Sequence, residues 1–395
     1  MSRRAYLDYA ATAPFDTRLA DAMAAASWAN ANALYTEGRA AASQLEDARK
    51  RIAAALGAHA PSELTFTSGG SESDNTAIRG LAKHVPGAKS THVVVSSIEH
   101  DAVLNSAKAL KSEGFAVDKV DPDASGTVRP EALEALLARI EGEGGAVTLV
   151  AVQAVNNELG TIQPVRALAR VAHAHQAKFF SDAVQGLGKL DIDLEQSGVD
   201  AAAFSAHKIG ALKGVGALYL RRGIRIKPLV YGGGQEAGMR SGTQNVMGAL
   251  VFAQAVENAV SERRAAWERA SAFRAKVIDA ISVGEFAHRV RLTLDTDVAA
   301  CDGPLTEQGG LVPHVLSLLV DGLEGETLVL RADNAGIAVS AGSACSSGSL
   351  DPSHVLLAIG VPRQLAFGSL RLSFGALTSE DDIDLFVEKL PEVLR

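Results

Sequence analysis

Between residues 64 and 220 the chain repeats one pattern, a short apolar β-rich run followed by a stretch with helical spacing. LTFTS (64–68) precedes a helix-like stretch from Ser71, and HVVVSS (92–97) precedes one from about Ala102. FAVDKV (115–120) is followed by PEALEALLARI (130–140), and VTLVAVQAV (147–155) by PVRALARVAHAHQ (164–176). FFSDAV (179–184), AAAFSAH (201–207) and GVGALYL (214–220) complete the series. Near-continuous apolar strands cannot leave one face in water. They predict a mostly parallel sheet covered by helices on both faces, an α/β fold. Ligands of such sheets bind beyond the carboxyl ends of the strands, so the polar residues just past each strand are the ones to examine.

From about Val251 to Ala280 the text is helical and rich in alanine, glutamate and arginine. Strand-like HRVRLTL (288–294), HVLSLLV (314–320) and SLRLSFG (369–375) come after it. This reads as a long connecting helix entering a smaller α+β domain. The expected division is a large domain over 16–260 and a small one made of 1–15 and 261–395. A length of 395 residues suits that arrangement. The net charge of −8 and the lack of a concentrated basic run argue against nucleic acid or an anionic membrane as partners. No apolar run approaches the roughly 20 residues of a membrane-spanning helix. The opening MSRRAYLDYAATAPFD lacks the apolar core of a secretory signal. Two cysteines, Cys301 and Cys345, make no disulfide framework, and a reducing cytoplasm is the expected location.

Several strand ends carry polar clusters, each weak alone. TSGGSES (67–73) combines a helix start with a glycine pair, which suits a phosphate but equally a capped turn. His100 follows a buried strand, where it either serves a site or faces solvent. The two asparagines of NNELG (156–160) commonly mean a turn. Asp182 lies inside an apolar run and needs a cationic partner, and Gln185 could reach the same ligand. Lys208 follows a strand and His207; there a lysine is ordinarily a surface cation, but a buried one becomes a competent amine nucleophile. Together, a lysine amine, a carboxylate able to pair with a pyridinium nitrogen, a phosphate cradle and a histidine are the parts of a pyridoxal phosphate site. No metal site competes: His173 and His175 are two apart on a helix and are expected to be solvated. Cys301 reads as a partly buried structural thiol. Cys345 sits among small residues in SAGSACSSGS (340–349), which predicts an exposed, mobile loop.

The sequence resembles the cysteine desulfurases of the NifS/IscS type, fold-type I pyridoxal phosphate enzymes of the class V aminotransferase group. The resemblance rests on LDYAAT, FTSGGSESDN, EHDAVL, NNELGTIQPV, SDAVQGLGKL, SAHKIGALKGVGALY, GGGQEAGMRSGTQN and GSACSSGSLDPS, in that order. It implies roles residue by residue. Lys208 would be the Schiff-base lysine, with Ser205, His207, Gly70 and Ser71 contacting the phosphate. His100 would stack on the ring and move protons. Asp182 would pair with the ring nitrogen, and Gln185 would donate to the phenolic oxygen. Asn157 would lie near ring and substrate, and Arg371 would grip the substrate carboxylate, for which a bidentate guanidinium is apt. Thr243 would be lent to the partner's phosphate, which implies a homodimer. Cys345 would be the nucleophile on the small domain. An ordinary thiol with a pKa of about 8.5 is only a few per cent thiolate near neutrality, so it needs activation.

The implied reaction takes L-cysteine to L-alanine through an aldimine with the cofactor. It leaves the sulfur as a Cys345 persulfide for an acceptor protein, such as an iron–sulfur scaffold or a tRNA-thiolation factor. A selenocysteine lyase or another class V enzyme is the alternative, and a non-catalytic sulfur-relay protein a further one. Two departures from the family pattern bear on access and partners. Ala31 and Tyr35 stand where proline and histidine are usual in NANALYTEGR. The chain also stops soon after its last helix, so the longer tail by which some relatives dock a scaffold is not expected.

Overall fold

The computed structural model describes residues 3–283, 286–299, 301, 305–342 and 351–395. Seven strands form the main sheet: β1 (Leu64–Thr67), β2 (Ser90–Ser96), β3 (Ala116–Val120), β4 (Gly145–Ala151), β5 (Lys178–Asp182), β6 (Ala201–Ser205) and β7 (Gly216–Leu220). Their spatial order is β1-β7-β6-β5-β4-β2-β3. The neighbours from β6 to β3 run parallel, and β7 runs antiparallel to both β1 and β6. Every residue of β1, β6 and β7 is buried, as are Phe179 and Phe180 on the two faces of β5. Removing a phenylalanine side chain from water contributes about 1.5–3 kcal/mol, so each such strand is held by its two apolar faces. The strand–helix alternation is as expected. The Thr36–Ala55 helix, which the strand pattern did not announce, packs on the long helix Val246–Ser282.

The Val246–Ser282 helix starts on Asn245, whose side chain accepts from the Gly248 N–H at 2.8 Å. Its first part buries Leu250, Val251, Phe252 and Val256 in the core below the large sheet. Its later part sends Ala270, Phe273, Val277 and Ile281 into a second core. That second core is closed by a three-stranded antiparallel sheet, β8 (Val290–Leu292), β9 (Val315–Val320) and β10 (Ser369–Ser373), in the order β8-β9-β10. Ala5 and Leu7 from the start of the chain join it. One helix therefore fixes one core to the other, and β10 is carried to the edge of the large sheet. Among the described residues no helix is long and apolar enough to cross a membrane.

Candidate active site

Because β1, β2, β4, β5 and β6 all point the same way, the polar residues after them collect along one edge of the sheet. Lys208 lies in the short turn Ala206–Ile209 beyond β6. Its Nζ donates to the carbonyls of Ala10 (2.6 Å) and Ala11 (2.8 Å). The Gln185 Nε2 donates to the same Ala10 carbonyl at 2.8 Å. The N-terminal segment thus crosses the end of the sheet and receives the lysine and the amide together. Thr12 Oγ1 lies 2.8 Å from His207 Nδ1. Burial, then the charges of Lys208 and Lys213, hold the His207 imidazole down at about 4, so it stays neutral.

Asp182 closes β5 and is buried. One oxygen accepts from the Val184 N–H at 2.9 Å. Burial pushes the Asp182 carboxyl up, while that hydrogen bond and the charges of His100 and Lys208 pull it back. Such a group gains most from a cation placed against it. His100 caps the Asp101–Leu110 helix, its Nδ1 accepting from the Ala102 N–H at 3.1 Å. A ring that accepts at Nδ1 carries its neutral-form proton on Nε2.

The glycine turn at the start of the Gly70–Leu81 helix fits tightly among its neighbours. A Cβ on Gly70 would lie 2.8 Å from Val184 Cγ2, and one on Gly216 would lie 2.7 Å from Gly69 Cα. A Cβ on Gly69 would stand 3.7 Å from Ser205 Oγ. The helix start therefore faces the Ser205 side chain at the end of β6 and packs against Val184. That is the geometry an anion such as phosphate needs. A cradle of this kind beside a buried carboxylate and a lysine fits pyridoxal phosphate.

On the other wall Arg371, in β10, is only 1% exposed. Its Nη1 donates to the Asn157 carbonyl (2.9 Å), and its Nη2 pairs with Asp8 (2.8 Å). Among the described residues its Nε finds no partner. A buried donor left open beside a cationic fork is what a carboxylate ligand would complete. Asn156 builds the turn: its amide donates to the Ile98 carbonyl and its oxygen accepts from the Glu158 and Leu159 N–H groups. Asn157, next in the chain, contributes its carbonyl to Arg371. Thr243 is exposed and makes no hydrogen bond among the described residues. Cys345 lies outside the described residues.

The family description "Aminotransferase class-V" matches residues 5–386. The cysteine desulfurase IscS of Clostridium botulinum (strain Hall) is 37% identical over 398 residues, covering all of this chain and 95% of its own. The solved structure of a NifS-like protein superimposes with a TM-score of 0.85 at 34% identity, covering 99% of both chains. SspA, solved in complex with cysteine, matches with a TM-score of 0.73 at 32% identity, over 94% of this chain and 98% of its own. The chain belongs to the class-V aminotransferases, among the cysteine desulfurases.

In this desulfurase some groups at the site drew no attention in the sequence. Glu99, beside His100, is buried; desolvation raises its carboxyl to about 8 against bonds from Ser96 and the Gln153 N–H. Asp74 is raised too, by burial and by the charges of Asp182 and Glu99, and among the described residues its Oδ1 has no partner. Asp74 lies on the buried side of its helix, whose exposed positions are Ser71 and Arg79, so an acid on the inner side was the available signal. Asp8 stands in the LDYAAT motif, but its pairing with Arg371 joins residues far apart in sequence. The two histidines expected in solvent are instead paired. His173 Nε2 lies 2.8 Å from Asp200, and His175 sits 3.0 Å from both Glu134 and Glu141. Cys301 is partly buried, with Arg263 donating to its carbonyl at 3.2 Å.

Proposed function

We propose that this desulfurase takes L-cysteine as substrate with pyridoxal phosphate as its resident cofactor, and passes the sulfur through Cys345 to an acceptor thiol. The observation that carries the reading is the meeting of Lys208 and Gln185 on the Ala10 carbonyl, beside buried Asp182 and the open glycine cradle. Gly70, Ser71, Ser205 and His207 would hold the phosphate and Asp182 the ring nitrogen, with His100 against the ring. When bound, the cofactor supplies an electron sink for the carbanion at the substrate's Cα. Arg371 orients the substrate carboxylate, aided by its open Nε, and Asn157 flanks it. Lys208 is placed to move the Cα proton and His100 Nε2 to exchange protons at the leaving sulfur. The substrate C–S bond breaks, a bond forms between that sulfur and Cys345 Sγ, and alanine and a Cys345 persulfide result.

The working frame is two lobes, 16–260 and 1–15 with 261–395, in a homodimer in which Thr243 completes the partner's phosphate site. Support comes from the exposed apolar side chains Trp28, Leu34, Tyr35 and Tyr231. They flank one loop region, since Asn32 bonds Gln244 and the Ser241 N–H bonds the Val230 carbonyl. A cytoplasmic site of action and an iron–sulfur or thiolation acceptor complete the proposal. Cys345→Ala tests it. The variant is expected to keep the visible absorption of bound cofactor, and its response to L-cysteine, while forming no persulfide and releasing no sulfide. Full sulfide release with a physiological thiol present would refute the assignment.

A further inference from the structure

The SDAVQGLGKL motif contains a second lysine that the reaction does not use. Lys189 is partly buried: its Nζ donates to the Gln185 carbonyl at 2.9 Å and to the Gln185 side-chain Oε1 at 3.2 Å. Among the described residues no carboxylate lies within ion-pair distance of it, which is an expensive setting for an ammonium. Burial, and then the charge of Lys208, pull it down to about 7. It lines a cavity of about 90 Å³ behind the Lys208 turn. The other charged or titratable groups facing that cavity are Tyr9, Lys208, His314, Asp16, Arg18, Glu262 and Arg269.

The partners of Gln185 settle which way its amide points. An ammonium only donates and a carbonyl only accepts. The Ala10 carbonyl therefore requires Nε2 on its side, and Lys189, when protonated, requires Oε1 on the other. One amide hydrogen is taken by Ala10 and the second remains to be donated. We propose that Lys189 is a positioning residue: it fixes the Gln185 carboxamide so that N–H, not C=O, is presented to the cofactor site. This rests on the reading of that site as one for pyridoxal phosphate. Without Lys189 only the Ala10 carbonyl orients the amide, and a flipped amide would set a carbonyl oxygen against an anionic ligand oxygen.

The test uses the full-length chain loaded with pyridoxal phosphate and follows the bound cofactor's visible absorption against pH. An N–H donated to the phenolic oxygen lowers that oxygen's hold on the neighbouring proton. Lys189→Met is expected to move the spectral midpoint upward by about half a pH unit or more. In a Gln185→Met background the same change is expected to move it much less, because the effect runs through Gln185. Equal shifts in both backgrounds would overturn positioning in favour of bare charge, and no shift in a loaded, folded Lys189→Met chain would overturn it outright. Lys189→Gln, which keeps a neutral donor, is read in parallel should the methionine variant fail to fold; its midpoint is expected to move upward by less. Its moving as far as expected of the methionine variant would count against the proposal, because the donor would then be irrelevant. A wild-type chain that takes up no cofactor overturns both this and the cofactor reading, whereas an unmoved midpoint in loaded protein overturns this inference alone.

Discussion

Asp8 occupies the guanidinium that the substrate carboxylate is proposed to use, so Asp8→Asn should weaken the fold and tighten substrate binding together. The pair is 2.8 Å long, with the Arg371 side chain 1% and the Asp8 side chain 17% exposed. At an effective dielectric near 20 the gross attraction is roughly 6 kcal/mol. Recovered hydration of the carboxylate cancels much of this, and asparagine keeps an accepting oxygen. Arg371 also retains the Asn157 carbonyl. The net loss is about 2 kcal/mol, or about 2–3 °C in Tm at the usual unfolding entropy per residue. The same change leaves Arg371 without its anion. An amino-acid carboxylate should then bind about tenfold tighter, which is about 1.4 kcal/mol. The assay is thermal unfolding with and without L-alanine, beside KM for L-cysteine. The variant should start lower, gain more from ligand and show a reduced KM. A variant of wild-type stability with a raised KM would refute the argument, because Asp8 would then support binding rather than compete with it.

Glu236 is the buried end of a two-pronged pair with Arg49 (2.8 and 3.0 Å) and also accepts from the Phe66 N–H, anchoring the loop that carries Thr243. Glu236→Gln should cost about 2–3 kcal/mol, measured by urea unfolding of the apo-protein, and a change under 0.5 kcal/mol would discard the anchor. His175 loses some proton affinity to burial, but Glu134 and Glu141 outweigh this and hold its pKa above the ordinary imidazole value. Its contribution is therefore complete below about 6.5, the unfolded value, and is lost as pH rises through the folded value. The stability gap between wild type and His175→Gln should accordingly narrow from about pH 5.5 to the alkaline side; a gap independent of pH would contradict the ion-pair reading.

The strand–helix alternation was legible because most strands of the large sheet are buried on both faces, which leaves near-continuous apolar runs in the text; the edge strand Ala116–Val120 is the exception. The strand-end positions of Asp182, His100, Asn157 and Lys208 followed from the same rule, since a parallel sheet brings its carboxyl ends to one edge. Tertiary pairing was not legible. Nothing near Asp8 announces Arg371, and nothing near His175 announces Glu134 and Glu141, because these contacts are made only when distant elements pack. Lys189 was hidden differently: it lies inside a quoted motif, but its use depends on an amide that bonds Ala10. The helical histidines misled because a two-residue spacing excludes a shared helix face yet says nothing about neighbours on other elements.

The buried acids explain how one edge of the sheet can hold a cation without excess negative charge. Asp74, Glu99 and Asp182 feel one another, and three ionised carboxylates in so dry a place would repel strongly. Burial decides among them. Glu99 keeps its proton up to about 8, and Asp74 is raised by the charges of the other two as well as by burial. Asp182 alone has the Val184 N–H together with both His100 and Lys208 drawing its carboxyl back toward ionisation. Within the cluster the pull toward ionisation is therefore strongest at Asp182, at the end of β5, with Glu99 and Asp74 raised behind it. Under the proposed cofactor reading, a ring nitrogen placed there would meet that carboxylate, which favours the protonated nitrogen. An apolar background would leave Asp182 to bear its desolvation alone, whereas a fully ionised one would push its proton back on.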